Sequence, residues 1–174
     1  MTKSERLLYV FASSVKAGGG IHHASELAFM LGEAHTPTFT KFLADCVKKG
    51  IIRRVAQGLF ESLLTPPEPT TALYKIIKKL RGNVLTYISL ESQLSYTGDI
   101  SQVIMGRVTV VTKGRSGTFF TPYGVIEFTH TKKLVKDIAP NLYFDTDINM
   151  YRATAQQALA DLKHCNRNLH MLEG

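Results

Sequence analysis

The sequence predicts an α+β protein built in two parts. Three observations carry that prediction. Helical periodicity fills the first fifty residues, and a glycine then hands over to a short basic hairpin within Ile51 to Ser62. A stretch reading Thr65-Pro66-Pro67-Glu68-Pro69-Thr70-Thr71 follows, holding half of the chain's six prolines. Beyond it, strands rich in Val and Thr mix with amphipathic helices, the pattern of an α+β domain. Residues 1–64 are expected to form one domain, 65–71 a stiff linker and 72–174 a second, mixed α+β domain.

Each element has a local cause. The first helix is expected from Lys3 to Lys16, with Thr2 as cap, Glu5 completing a capping box, and Leu7, Leu8, Phe11, Ala12 and Val15 facing inward. Gly18-Gly19-Gly20 ends it; a phosphate loop would need a preceding strand, so a turn is expected here. Ile21-His22-His23 reads as a short extended piece. Its two histidines would point to opposite faces, which makes a poor chelating pair, and no metal is expected. Ser25 is expected to cap a second helix with Leu27, Ala28 and Leu31 inward and Gly32 at its end.

A third helix begins at Thr36, with Pro37 in the first helical position. Phe39, Phe42, Leu43, Cys46 and Val47 form its inward stripe; Thr38, Lys41, Asp45 and Lys48 lie opposite, with Lys49 near the edge and Thr40 on the flank. Gly50 stops the helix. Ile51 to Val55 and Leu59 to Ser62 then read as two strands about Ala56-Gln57-Gly58. Helix, helix, helix and basic hairpin is the order of a winged helix-turn-helix. The outward early residues of its last helix would meet base edges, and the hairpin would lie along phosphates. Double-stranded DNA is therefore the expected partner. Thr36, Thr38, Thr40, Lys41, Lys48, Lys49, Arg53, Arg54 and Gln57 are the expected contacts.

In the second part, Thr71 to Leu80 reads as a helix whose face Lys75, Lys78, Lys79 and Arg81 could add phosphate contacts. Val84 to Ile88 is β-prone, and Ser89 is expected to cap a helix that stops at Gly98. Arg107 to Lys113 is a strand, Gly114 to Gly117 a turn, and Thr118-Phe119-Phe120 a returning strand. Gly124 to Thr131 alternates, with Ile126, Phe128 and His130 on one face. Thr154 and Gln157 form another capping box before a helix carrying Ala155, Ala158, Leu159, Leu162 and Leu169 inward.

Composition bounds the function. The chain has 174 residues, 44% of them hydrophobic, and a net charge of +7, which favours a polyanionic partner. The charge is spread: residues 1–64 hold eight Lys and Arg against five Asp and Glu, so no basic tail exists. No apolar run approaches the ~20 residues of a membrane span. Two distant cysteines, Cys46 and Cys165, suit a reducing cytoplasm. Asp145-Thr146-Asp147 could hold Mg²⁺ in a nucleotide-transferring enzyme, but no glycine-rich phosphate loop accompanies it. No catalytic residues and no cofactor are expected.

The whole chain also resembles the AbiEi family of antitoxins, from type IV toxin–antitoxin (abortive infection) systems. The matching segments run from Gly50 to Phe60, from Tyr87 to Gly98, through Val108-Thr109 with Tyr123 to Phe128, and from Ala153 to Leu162. The resemblance implies a repressor that binds inverted repeats in its own promoter. It also implies a second domain that counteracts a nucleotidyltransferase-type toxin without a stable complex. A winged-helix regulator whose second domain senses a small ligand is the alternative. No heptad or dimer seam stands out in the sequence.

Overall fold

A computed structural model describes residues 1–100 and 106–165. The architecture is α+β and divides into two compact units, Met1–Leu80 and Arg81–Gly174. Among the described residues, no helix is long and apolar enough to cross a membrane.

The first unit opens with α1 (Lys3–Lys16), where the Thr2 hydroxyl accepts the Glu5 N–H at 3.1 Å. Then come β1 (His22–His23), α2 (Ala24–Met30), α3 (Pro37–Lys48), β2 (Ile52–Ala56), β3 (Leu59–Ser62) and α4 (Pro69–Arg81). The strands form an antiparallel sheet in the order β1-β3-β2. Leu7 and Phe11 of α1, Leu27 and Ala28 of α2, Phe39, Leu43 and Cys46 of α3, and Ile52 and Phe60 of the hairpin bury one core. Burial of those side chains from three helices on one sheet is what fixes the outward face of α3.

Two local expectations change. Helix α2 starts one residue before Ser25. Its entry is held by Glu26, whose carboxylate accepts the His23 N–H at 2.9 Å, so the fixing side chain lies inside the helix. The two compact units divide after Leu80, so the 65–71 segment and nearly all of α4 fall within the first. α4 belongs with the first unit because the Lys79 carbonyl accepts His23 Nε2–H at 2.8 Å and Lys79 Nζ meets Glu26 at 2.6 Å.

The glycine turn is tied back to α1. Gly20 N–H donates to Ser14 Oγ at 2.9 Å, and a Cβ at Gly19 would stand 2.4 Å from that oxygen. Only a residue without a side chain fits there unless the serine moves.

The second unit carries β4 (Thr86–Ile88), α5 (Leu90–Thr97), β5 (Arg107–Thr112), β6 (Gly117–Thr121), β7 (Gly124–His130) and α6 (Val135–Ile138). A short 3-10 turn (Ala139–Asn141) leads to β8 (Leu142–Asp145), β9 (Met150–Ala153) and α7 (Ala155–His164). Its six-stranded sheet runs β6-β7-β5-β4-β9-β8. The expected return of β6 along β5 does not occur. β6 pairs with β7 through the tight Pro122-Tyr123 turn, and β7 lies parallel to β5 between them. Tyr87, Leu90, Leu94, Val111, Ala153, Ala158 and Leu162 form its core, and Leu169 lies outside the described residues.

Ser89 occupies the N-cap of α5, but its hydroxyl is spent elsewhere, donating to Asp161 at 2.7 Å. The capping acceptor comes from the neighbouring strand: Thr109 Oγ1 takes the Ser92 N–H at 3.0 Å, while Ser92 Oγ takes the Thr109 N–H at 2.8 Å. Asp161 also accepts from Tyr87 Oη at 2.9 Å and Gln157 Nε2 at 2.9 Å, so this buried carboxylate is fully occupied. Burial, then the adjacent Asp161, holds the Tyr87 phenol far above its usual range.

Candidate nucleic-acid interface

The face of α3 is built by its ends and its stripe. The Thr36 hydroxyl accepts the Phe39 N–H at 3.3 Å, and Pro37 takes the first turn. Phe39, Leu43 and Cys46 are buried; burial pushes the Cys46 thiol above its usual range. Lys3 of α1 lies 4.4 Å from the Phe42 ring centroid and 2.9 Å from Glu33, clasping the start of α3. With that face fixed inward, Thr38, Lys41, Asp45, Lys48 and Lys49 are exposed. Among the described residues, none of the three lysines forms an ion pair. Thr40 is exposed on the flank, its hydroxyl directed to the Thr36 carbonyl at 3.3 Å.

The hairpin turns at Gln57-Gly58, where Gly58 takes φ +72° and Gln57 is exposed. Arg53 and Arg54 do not act as a pair. Successive strand residues face opposite sides, and each arginine meets the residue directly across from it on β3. Arg53 binds Glu61, with Nε at 2.8 Å and a second, shorter contact from its terminal nitrogen; the carboxylate is fully buried while the guanidinium is 43% exposed. Arg54 is exposed and lies 5.5 Å over the Phe60 ring. Glu61 is the residue the sequence reading missed. Counting register outward from the turn would set it opposite Arg54; the register shift between Arg54 and Ala56 places it opposite Arg53 instead.

On α4 the expected basic face is largely engaged. Lys79 is bound to Glu26. Lys75 and Lys78 are half-buried, and desolvation, then Lys79 and Lys75, lowers Lys78 below the ordinary lysine range. Arg81, in the second unit, donates to the Arg115 carbonyl at 3.1 Å and stacks 4.6 Å from Phe128.

The other candidates resolve into structure. Asp145 accepts from Arg152 Nε at 2.7 Å and from the Asp147 N–H at 2.9 Å, closing a turn; the arginine holds its carboxyl below the usual range. Arg152 is itself buried against Gln93 and the Tyr96 ring. Among the described residues, no group of three or more His, Cys, Asp and Glu could hold a metal. His23 turns to α4, while His22 turns to α1.

His22 Nε2 lies 2.7 Å from Ser14 Oγ, and Nδ1 lies 3.7 Å from Glu26 Oε2. The carboxylate favours the proton on Nδ1, so the serine hydroxyl donates to Nε2. Ser, His and Glu in this order match a hydrolytic triad. The surroundings do not match. Ser14 sits in the last turn of α1, where carbonyl dipoles repel a developing oxyanion, and the glycine turn covers its oxygen. The contacts fit a lock that ties the turn to β1.

No family model matches the chain, and no curated protein matches it. Among solved structures, the crystal structure of the RV2827C protein from Mycobacterium tuberculosis is similar, with a TM-score of 0.59 over 91% of this chain at 11% identity. The chain spans 59% of that protein's length. At that identity the likeness is one of fold, and the fold it shares is α+β.

Proposed function

We propose that the chain is a DNA-binding transcriptional repressor whose first unit is a winged helix-turn-helix. One observation carries the reading. α3 buries one face in the core and presents Thr38, Lys41, Lys48 and Lys49 on the other, out of any ion pair among the described residues. The hairpin that follows it carries the exposed Arg54 and Gln57. Electrostatic attraction docks the unit, Lys41 and Thr38 reach base edges, and Lys48, Lys49 and Arg54 neutralise phosphates. Arg53 contributes by holding the hairpin on Glu61 instead of binding DNA directly.

The resemblance to AbiEi antitoxins extends this reading. The operator would be inverted repeats upstream of the chain's own gene, and the second unit would counteract a nucleotidyltransferase-type toxin. Fluorescence anisotropy with that upstream DNA tests the first part: Lys41→Ala should weaken the operator more than random DNA. Equal losses on both remove α3 from base readout. Coexpression with a nucleotidyltransferase encoded next to this gene tests the second part. Growth should be rescued without copurification, and absence of rescue overturns the antitoxin role.

A further inference from the structure

We propose that the outward face of α1 docks a second copy of this chain, antiparallel, about a two-fold axis passing between Tyr9 and Ser13. Glu5, Tyr9, Ser13 and Lys16 recur at helical spacing opposite the buried Leu7 and Phe11, and all four are exposed. Tyr9 is 64% exposed at the middle of this stripe. Glu5 lies in the first turn and Lys16 in the last. Among the described residues, neither forms an ion pair, although Lys3 and Glu33 nearby do.

An isologous interface needs a surface complementary to itself. This stripe is complementary in only one arrangement. Antiparallel packing sets each Glu5 against the second copy's Lys16 and each Tyr9 over the second copy's Ser13. Parallel packing would face like charges. The helix dipoles also oppose each other in the antiparallel arrangement. A cleft of about 400 Å³, lined by Tyr9, Val10, Ser13, Ser14, His22 and Met30, flanks the stripe. It offers the second copy's Tyr9 ring an apolar hollow with its hydroxyl at the rim. Met30, 39% exposed, closes α2 beside it.

Sedimentation equilibrium of the full chain without DNA tests the proposal, independently of operator binding. The parent should dimerise reversibly. Glu5→Lys and Lys16→Glu should each weaken the dimer by about tenfold or more, because two attractive pairs become repulsive across the axis. The double variant Glu5→Lys/Lys16→Glu restores both pairs and should return to the parent value. Tyr9→Ala should weaken the dimer with no such rescue. Circular dichroism should be unchanged in all four. A parent that stays monomeric at every concentration, or a double variant as weak as either single, overturns the proposal. Binding to a single-site duplex should be unaffected by these changes, which separates this interface from the α3 face.

Discussion

α3 and α4 both carry lysines at helical spacing, yet the molecule uses them differently. On α3, Lys41, Lys48 and Lys49 project from a helix whose Phe39, Leu43 and Cys46 are buried in the core, and among the described residues none of the three forms an ion pair. On α4, Lys79 is drawn onto Glu26, and Lys78 is half-buried and crowded by its neighbours. A helical wheel would score both faces as basic. What separates them is the tertiary neighbour: a lysine beside a partly buried carboxylate is drawn into the fold, and one without such a neighbour stays exposed to solvent.

The sharpest way to break this contrast is at Arg53, the hairpin's own structural cation. Arg53→Ala withdraws a guanidinium from a fully buried carboxylate. The expected cost is about 2 kcal/mol, below that of a fully buried pair because the arginine is 43% exposed. Urea denaturation measures it. Unchanged stability with a lost salt slope on DNA would move Arg53 into the binding group. Next in size, Lys41→Ala should weaken specific DNA by about tenfold, while changing stability by less than about 0.5 kcal/mol.

Lys48→Ala and Lys79→Ala then form a matched pair. Lys48→Ala should reduce the log–log salt slope of binding by ~0.9. Lys79→Ala should leave that slope alone and cost about 0.5 kcal/mol of stability. A slope change for Lys79→Ala would erase the distinction between the helices.

The smallest effect is a pH dependence. Burial, and then Lys79, depresses His22 below its ordinary value of 6.5. The unfolded chain therefore binds the proton more readily, so stability contributed here is present above pH 6.5 and falls as pH drops below it. His22→Gln should flatten the urea midpoint over that interval relative to the parent. Glu26, whose carboxyl is also depressed, opposed by burial but favoured by Lys79, loses its contribution only at lower pH, below its ordinary 4.5.

Local signals carried most of the first unit. Thr2 and Thr36 announce their helices, and the bounds of α1 follow from cap, stripe and glycine. The exposure of Thr38, Lys41 and Lys48 follows from spacing alone. What escaped the sequence depends on pairing between distant segments. The pairing of Arg53 with Glu61 was hidden because the carboxylate lies across a hairpin. α4 looked like the start of a second domain because its anchors, His23 and Glu26, are far earlier in the chain. Likewise Ser89 read as a helix cap, whereas Thr109 supplies the acceptor from another strand. The β5–β7 pairing could not be inferred from alternation, since a strand's face pattern does not name its neighbour.

The parallel pairing of β4 with β9 has a consequence for biosynthesis. Tyr87 and Tyr151 sit side by side, so the middle of the larger sheet cannot close until its last strand exists, and α7 follows directly after that strand. The first unit, Met1–Leu80, is a compact body of its own. A nascent chain should therefore display a finished amino-terminal body while the remainder is still being translated, and the second body should be the slower of the two to form.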